Sequence, residues 1–519
     1  MVVLVLWGCA QHHRVPGTGI SPAKEHGSVS PITARQLSQK GQHGFRSIVL
    51  QPTSSEVLTF RVAFRLGSAN DPPGKEGLAA LTARLMAEGG AGSRSYRELQ
   101  ETLYPMAALI GVQVDREQTV FHARVHRDYL AMFGAVLRDV LVSPRFHAQD
   151  FRRVSAQIRD ELEYGLKSNN DEAFAKEVLQ SMLYQDHPFG HPTLGTLKGL
   201  TEITLSDVNA HYRRHFCLGR TVVGVSGNVS GDALKPWLKT LMPLGRLSCS
   251  QDGQHPTPGV MKERRAWLIQ KPSASATAIS IGMRLDVRRG DADYPALVLA
   301  ATYLGQHRQF IGRLMQKIRE QRGLNYGDYA YAEHFRQYKD THFATPNIGR
   351  SRQFFSIWLR PVAPTNAAFV MKLAVRELEQ LVTKGLSATE FRRIQSYALR
   401  YFPLANQSAD QRLGVVMDAE FYGATTAAWP ALLKQWRRLT VSEFNAAVQR
   451  RLKLDGLQFA VITADGPALK AALINAAPST VNYTTKMPSH ILNEDKLIAR
   501  YDLGLTSDRV HVIAADEVF

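Results

Sequence analysis

The second half of this chain repeats the pattern of the first half, and this repeat limits the fold more than any other feature. The strand-like run LTFRVAFRLGSA at 58–69 corresponds to ATAISIGMRLDV at 276–287. The helical run GLAALTARLMAEGG corresponds to DYPALVLAATYLGQ, and RTVVGVSGNVS corresponds to LQFAVITADG, all offset by about 215–240 residues. The sequence therefore predicts an α+β protein of two homologous halves of about 220 residues, each a sheet with helices.

Polar stretches rich in glycine, serine and proline divide the chain. Residues 10–45 are typical of a tether, and RLSCSQDGQHPTPG at 246–259 is typical of a linker. A long helical stretch at 150–184 has a candidate break near Asn169 and Asn170. We predict an N-terminal segment and tether at 1–45, a first half at 46–245, a linker at 246–264, a second half at 265–475 and a tail at 476–519 that wraps over the body.

Charge and composition restrict the class of partner. The chain has 519 residues, with 63 Lys and Arg against 46 Asp and Glu, for a net charge of +17. This surplus favours acidic partners, anionic surfaces or negatively charged peptides, and the alternative is a solvated basic surface. We find no nucleic-acid motif, no concentrated basic run and no glycine-rich dinucleotide motif. The sequence therefore predicts neither a nucleic-acid partner nor a doubly wound nucleotide fold.

The N-terminal run MVVLVLWGCAQHH is too short and apolar over too few residues to cross a bilayer. The order Leu-Trp-Gly-Cys resembles a bacterial lipoprotein cleavage box, in which Cys9 would be lipidated. It predicts a periplasmic or outer-membrane-associated bacterial protein with a membrane tether, and the alternatives are a start further upstream or a chance match. Cys217 and Cys249 are the other two cysteines, and the absence of C-x-x-C excludes zinc-ribbon and thioredoxin motifs.

Several stretches together resemble the pitrilysin/insulinase family of zinc peptidases, in its two-half bacterial and mitochondrial-processing branch. They are GSANDPPGKEGLA, HPFGHPTLGT followed by ITLSDVNAHYRRHF, VVGVSGNVS, and LGQHRQFIGRLMQKIREQRGLNYGDYAY. The resemblance covers about residues 46–470 and implies a clam-shell fold around a chamber. It also implies that substrate peptides add as a strand to a sheet edge. We expect TFRVAFRL in the first half or TAISIGM in the second half to be that edge.

The metal-binding motif of the family is missing. Active members carry H-x-x-E-H on their first helix, where two histidines bind zinc and the glutamate is the general base. The resemblance aligns Ala80 with the first histidine, Ala83 with the glutamate and Arg84 with the second histidine. It aligns the third zinc ligand with Glu161, or with Glu163 after a two-residue shift. We expect Glu161 to be a surface or salt-bridged residue and the chain to bind no zinc.

Three histidine pairs elsewhere in the chain are poor candidates for a metal site. His211 and His215 have helical i,i+4 spacing but lie beside two arginines. Two histidines four apart on a strand are about 13 Å from each other, too far for one ion. The pair on a strand is His122 and His126. The remaining pair, His187 and His191, lies in a turn.

A second signature remains in the second half. In IREQRGLNY, Arg319 is followed seven residues later by Tyr326, and Gly323 would permit the turn between them. The resemblance implies that such an Arg and Tyr bind the substrate backbone and stabilise the oxyanion of the tetrahedral intermediate. The alternative is structural, with Arg319 capping a helix and Tyr326 starting an edge strand.

These features predict a protein that is not catalytic alone. The first hypothesis is the non-zinc subunit of a heterodimeric metalloendopeptidase, in which Arg319 and Tyr326 position unfolded peptides while an H-x-x-E-H partner supplies zinc. The second is a non-catalytic binding or scaffold protein on the peptidase fold. The third is an enzyme with a site of its own at the adjacent carboxylates Asp160, Glu161 and Glu163, a pattern that is usually a solvated helix face.

Overall fold

Six strands in the first 227 residues form one mixed sheet, here named the first sheet. The computed structural model describes residues 35–36, 47–246, 255–306, 309–336, 344–423, 428–475 and 477–519. The strands of the first sheet are β1 (Arg35–Gln36), β2 (Ser47–Pro52), β3 (Val57–Phe64), β4 (Leu109–Val114), β5 (Thr119–His126) and β6 (Thr221–Gly227). Their order is β1-β2-β6-β3-β5-β4, with β2 and β6 parallel and the other neighbours antiparallel.

The helices of the first half connect these strands. They are α1 (Leu78–Glu88), α2 (Tyr96–Leu103), α3 (Leu130–Val142), α4 (Ala148–Asp160), α5 (Asp171–Leu183), α6 (Leu197–Glu202), α7 (Leu205–His215) and α8 (Gly231–Thr240). After α4 the chain continues as a π-helical segment, Glu161–Ser168. The Asn170 side chain then accepts a hydrogen bond from the backbone N–H of Ala173 and caps α5. The predicted break near Asn169 and Asn170 is confirmed.

The second sheet repeats the topology of the first. Its strands are β7 (Arg265–Gln270), β8 (Thr277–Leu285), β9 (Asp328–Tyr331), β10 (Gln353–Val362), β11 (Gln458–Thr463) and β12 (Val510–Ala514), in the order β12-β7-β11-β8-β10-β9. As in the first sheet, the strand pair β7–β11 is parallel and the next three pairs are antiparallel. The predicted α+β duplication is confirmed.

The helices of the second half follow the order of the first. They are α9 (Tyr294–Gly305), α10 (Ala367–Lys384), α11 (Ala388–Tyr401), α12 (Ala409–Tyr422), α13 (Ala428–Arg438), α14 (Val441–Arg451), α15 (Gly466–Ile474) and α16 (Ser489–Ala499). Residues 255–264 carry no helix or strand before β7. None of the helices in the described ranges has both the length and the hydropathy to cross a membrane.

The expectation that TFRVAFRL or TAISIGM forms a sheet edge is wrong. These segments form β3 and β8, and each strand is paired on both sides. Almost every residue of β3 and β8 is buried or half-buried, because helices and neighbouring strands cover both faces. The edge strand β4 instead has exposed residues, with 59% of Leu109 accessible to solvent. The long apolar runs that suggested an edge are those of central strands.

The two halves exchange one helix each. Helix α5, from the first half, packs on β8 and β11 of the second sheet, and α12, from the second half, packs on β6 and β2 of the first. Phe174 and Val178 of α5 share a buried cluster with Ala278 and Ile462. Because each half covers the sheet of the other, the described part of the chain from residue 34 onward forms one compact unit.

The C-terminal tail contacts both halves. Strand β12 pairs parallel with β7 and occupies the position that β1 has in the first sheet. Helix α16 packs on α10. The carbonyl of Phe519 accepts a hydrogen bond from the backbone N–H of Leu197 at 2.6 Å, and its ring packs near that of Phe174.

The exchanged helix α12 requires a glycine beneath it. A methyl group added at Gly224 of β6 would overlap the Met417 sulfur of α12, whereas one added at Gly111 of β4 would meet no atom within 4 Å. We therefore expect Gly224→Ala to lower the free energy of unfolding by about 1–3 kcal/mol. Gly111→Ala is the matched control, with an expected change within about 0.5 kcal/mol. Urea unfolding measures both, and equal losses would contradict the packing of α12.

Candidate functional site

Helix α1, which carries the degenerate metal-site positions, is anchored at its first turn. Gly77 precedes the helix with a φ of 110°, a conformation that glycine adopts without strain. The Asp71 carboxylate accepts hydrogen bonds from the backbone N–H groups of Gly77 and Ala79, each at 2.7 Å. Burial raises the pKa of Asp71 to about 8, so the group serves this helix end as a hydrogen-bond acceptor. The helix therefore keeps a defined position although its metal-binding side chains are absent.

An ion pair joins two of the residues that the family resemblance aligns with zinc ligands. The Arg84 guanidinium donates to a Glu161 carboxylate oxygen at 2.7 Å and to Glu88 at 3.1 Å. Ala80 and Ala83 are buried on the same helix. Burial lowers the pKa of Arg84, but Glu88 and Glu161 outweigh this effect and hold the pKa above its usual value. A permanent cation therefore links α1 to the π-helical segment after α4.

The residues at this place do not fit a zinc ion. Zinc requires nitrogen, sulfur or carboxylate oxygen donors, whereas alanine offers no ligand atom and arginine only donates hydrogen bonds. Glu161 is the one carboxylate of the aligned set, and it is engaged by Arg84. No group of three or more His, Cys, Asp or Glu side chains that could hold a metal occurs in the described residues.

The histidine pair on α7 belongs to the protein interior. The rings of His211 and His215 lie 4.6 Å apart between centroids. Burial and the neighbouring cations lower the pKa of His211 to about 3 and that of His215 to about 4, so both rings are neutral at physiological pH. The Nδ1 atom of His215 is 3.2 Å from a guanidinium nitrogen of Arg220. A second cation at this place would be repelled.

The strand and turn histidines have local partners. Burial and Arg61 lower the pKa of His122 on β5 to about 3. His126 accepts a hydrogen bond from the backbone N–H of Asp128. His187 and His191 each bond a backbone carbonyl of a nearby proline. The strand pair and the turn pair therefore do not share a site with each other or with His211 and His215.

Arg319 and Tyr326 lie together at a helix end. Arg319 is in the π-helical segment Met315–Glu320. Gly323, with a φ of 62°, closes the segment by donating its N–H to the Arg319 carbonyl, and Leu324 donates to Ile318. The chain then reaches Tyr326, two residues before the edge strand β9. The Arg319 guanidinium is 5.4 Å from the centroid of the Tyr326 ring.

The polar groups of this pair point to solvent. The Tyr326 side chain is 66% exposed. In the described part of the chain, neither the Tyr326 hydroxyl nor the Arg319 guanidinium makes a hydrogen bond, and the nearest carboxylate of Arg319 is Glu320 at 3.6 Å. A guanidinium with five N–H donors and a phenol O–H are therefore available to a ligand.

Sequence reasoning did not find Arg360, on β10. Its guanidinium lies 5.2 Å from the centroid of the same Tyr326 ring. It also pairs with Glu172 of the exchanged helix α5, at 3.2 Å. No local motif connects Arg360 to Arg319 and Tyr326, because strand pairing and helix exchange bring them together.

A cavity of about 580 Å³ lies between the two halves. Glu161 lines it from the first half, and Trp358 and Arg360 line it from the second. The Lys176 ammonium, also in its wall, lies 3.6 Å from the centroid of a Trp358 ring. Burial lowers the pKa of Lys176 to about 8, against the opposing effect of Glu172. The cavity therefore connects the degenerate metal position with the neighbourhood of the Arg–Tyr pair.

These observations define a class of protein: two peptidase-type α+β halves whose first helix lacks zinc ligands and whose second half presents an arginine and a tyrosine. Sequence comparison specifies the family. The model of the insulinase family (peptidase family M16) matches residues 47–197, and that of the peptidase M16 inactive domain matches residues 202–397. The chain belongs to the M16 family, as a member without the metal-binding motif.

Relatives with names or solved structures agree with this family and fold. The "non-peptidase homolog YmxG" of Helicobacter pylori is 23% identical over 406 residues, which cover 78% of this chain and 88% of that protein. A peptidase M16 inactive domain from Pseudomonas fluorescens superposes with a TM-score of 0.71 at 21% identity, covering 83% of this chain and 97% of that chain. A chain of Complex III2 from Candida albicans gives 0.68 at 13% identity, covering 90% and 99%.

The ion pair between Arg84 and Glu161 predicts that a metal site can be rebuilt. We expect the triple variant Ala80→His, Ala83→Glu and Arg84→His to bind about one zinc ion per chain, because position 84 already reaches the Glu161 carboxylate. Zinc content after dialysis, measured by plasma mass spectrometry, checks this. Circular dichroism confirms folding, since positions 80 and 83 are buried.

The control for the rebuilt site is the same triple variant with Glu161→Gln. We expect its zinc affinity to fall roughly tenfold or more, because one ligand is lost. Equal zinc binding with and without the Glu161 carboxylate would show that the aligned position is not the third ligand.

Proposed function

We propose that this chain is the non-zinc subunit of a heterodimeric M16 metallopeptidase. The observation that carries the proposal is the contrast between the two sites. The positions on α1 that the family resemblance aligns with zinc ligands carry no metal ligands, and Arg84 there pairs with Glu161, while Arg319 and Tyr326 make no hydrogen bond in the described residues. A side-chain pair with unused donors on the surface is suited to act on a ligand held by another chain.

The chemistry assigned to the pair is hydrogen bonding to developing negative charge. A guanidinium stays charged at any physiological pH, and a phenol O–H donates without itself being ionised. Donors already in place stabilise an oxyanion without reorganisation when the reaction occurs. In this proposal the partner subunit's zinc supplies Lewis-acid chemistry, and Arg319 and Tyr326 hold the substrate backbone and the oxyanion.

Strand β4 is the proposed docking edge for unfolded peptides in the first half. It pairs only with β5 among the described strands, and Leu109 and Gly111 on it are exposed. Helix α1 packs against β4, so the edge lies beside the degenerate metal position. A peptide added there would gain main-chain hydrogen bonds with little demand on its sequence.

A scaffold without any role in proteolysis is the second candidate. It is favoured by the fold shared with a chain of Complex III2 and by the name of the Helicobacter pylori relative, a non-peptidase homolog. This candidate expects no activity with any partner and no effect of changing Arg319 or Tyr326.

The proposed location is the bacterial periplasm, with a membrane anchor at Cys9. Cys217 is disulfide-bonded, which is typical of proteins that mature in an oxidising compartment. The other two cysteines, Cys9 and Cys249, lie outside the described residues. A lipidated Cys9 would have its sulfur in a thioether and could not form a disulfide.

A mixing assay tests the proposed function. We expect no cleavage of a quenched fluorescent peptide by this chain alone, and cleavage when it is mixed with an H-x-x-E-H homologue from the same organism. In the mixture, Arg319→Ala should lower kcat about 10²–10³-fold, since one oxyanion donor is lost. Tyr326→Phe should lower kcat as well, because the ring stays and only the O–H is removed.

The matched controls of the mixing assay are Arg393→Ala, an exposed arginine on α11, and Tyr104→Phe, an exposed tyrosine outside the site. Both are expected to leave kcat unchanged. A homologue that is equally active without this chain would refute the subunit proposal and favour the scaffold.

Peptide mapping tests the location. Mass spectrometry of the protein purified from its native membrane fraction, digested without reductant, should show Cys217 in a disulfide and a lipid on Cys9. A free Cys217 thiol, or a link between Cys217 and Cys9, would contradict the anchored periplasmic form.

A further inference from the structure

Phe310, Arg319, Tyr326 and Arg360 form a row of alternating rings and cations, called the cation–aromatic row below. The Arg319 guanidinium lies 5.2 Å from the Phe310 ring centroid and 5.4 Å from that of Tyr326, and Arg360 lies 5.2 Å from Tyr326. Both rings are mostly exposed, Phe310 at 58% and Tyr326 at 66%. Large aromatic rings this open to water beside two arginines mark a surface that a ligand can cover.

The row leads to the cavity between the halves. Arg360 pairs with Glu172, and Glu172 accepts a hydrogen bond from Lys176 at 2.8 Å. Lys176 in turn lies over the Trp358 ring. Arg360, Glu172, Lys176 and Trp358 all line the cavity. A peptide that follows the row from the surface inward therefore meets cations beside aromatic rings, with the Glu172 carboxylate between Arg360 and Lys176.

The chemistry of the row selects negative charge. A guanidinium beside an aromatic ring keeps N–H donors for a carboxylate, which it binds through two parallel hydrogen bonds. Arg319 makes no hydrogen bond in the described residues, and Glu172 is the carboxylate that now holds Arg360. The cations of this path are Arg319, Arg360 and Lys176, and the carboxylates in contact with them are Glu172 and the more distant Glu320. The cavity lining also includes the carboxylates of Asp115, Glu161 and Glu177, in a chain with a net charge of +17.

We propose that the cation–aromatic row binds acidic peptide segments and that Arg360 is a residue that determines this specificity. An acidic side chain takes the place of Glu172 or joins it on Arg360, and a neighbouring apolar residue covers the Phe310 and Tyr326 rings. The inference rests on the proposed function, whose substrate it narrows to acidic unfolded peptides.

Direct binding to the isolated full-length chain tests the row without any partner subunit. Fluorescence anisotropy compares two labelled peptides of the same length, one with glutamates and one with glutamines at the same positions. We expect the acidic peptide to bind about tenfold more tightly, with a preference that shrinks as salt rises. Equal affinity for the two peptides would overturn the proposal.

Substitutions locate the binding. Arg360→Gln and Arg319→Gln should each weaken the acidic peptide about tenfold and leave the neutral peptide unchanged, whereas Arg393→Gln, an exposed control on α11, should change neither. Glu172→Gln should strengthen acidic binding, because it removes the carboxylate that competes for Arg360. An equal loss in Arg393→Gln would show general charge attraction, and weaker binding in Glu172→Gln would show that Glu172 does not compete with the peptide for Arg360. Either result would overturn the proposal.

Two further comparisons distinguish a loss of folding from a loss of peptide binding, and the binding proposal from the subunit proposal. Arg360→Lys keeps the charge but not the planar donor pair, so it should retain the melting temperature better than Arg360→Gln and still lose most of the acidic preference. A chain that prefers acidic peptides yet activates no homologue would refute the subunit role alone. If the chain activates a homologue but shows no preference for acidic peptides, only the proposal that the cation–aromatic row binds acidic peptides is refuted.

Discussion

The buried guanidinium of Arg61 is the interaction on which the arrangement of the two halves depends. It lies on the central strand β3 of the first sheet with 4% of its surface exposed, and it donates to both carboxylate oxygens of Asp410 at 3.0 and 2.7 Å. It also donates to Asn347, which Asp418 holds through the Asn347 N–H at 3.0 Å. Asp410, Asn347 and Asp418 all belong to the second half. The Asp410 side chain is 49% exposed, but the Arg61 guanidinium is buried, and without these partners it would be a buried charge without compensation. The first sheet therefore favours the second half in this position.

The helix exchange and this charged seam together determine which side chains meet in the cavity. Because α5 lies on the second sheet, its Glu172 and Lys176 face Arg360 and Trp358 of β10. The same arrangement places Glu161, directly after α4, in the cavity wall. Without Arg84, Glu161 would be a lone carboxylate in the wall of a cavity. Arg84 instead supplies a cation at that position, which keeps α1 joined to its neighbour without metal.

Much of the candidate site follows from local sequence. The spacing of Arg319 and Tyr326 across Gly323 predicts a helix end and a turn, since only glycine adopts that backbone conformation without strain, and the structure has both. The loss of His and Glu side chains at Ala80, Ala83 and Arg84 can be read without coordinates. Arg360 could not be found in this way, because it comes from another strand. The edge strands were assigned wrongly because an apolar run records burial, and burial is greatest in the centre of a sheet.

The sequence by itself determined the duplicated α+β architecture, the absence of a metal-binding motif and the presence of the Arg–Tyr signature, because each depends on residue identity at a fixed spacing along the chain. The tertiary structure alone decided that Arg84 pairs with Glu161, that α5 and α12 are exchanged, and that Arg360 stands beside Tyr326. These contacts join residues far apart in sequence, and their energies depend on burial and on charge partners that periodicity does not encode. The local pattern therefore specifies the elements, and the packing of the two halves specifies the sites.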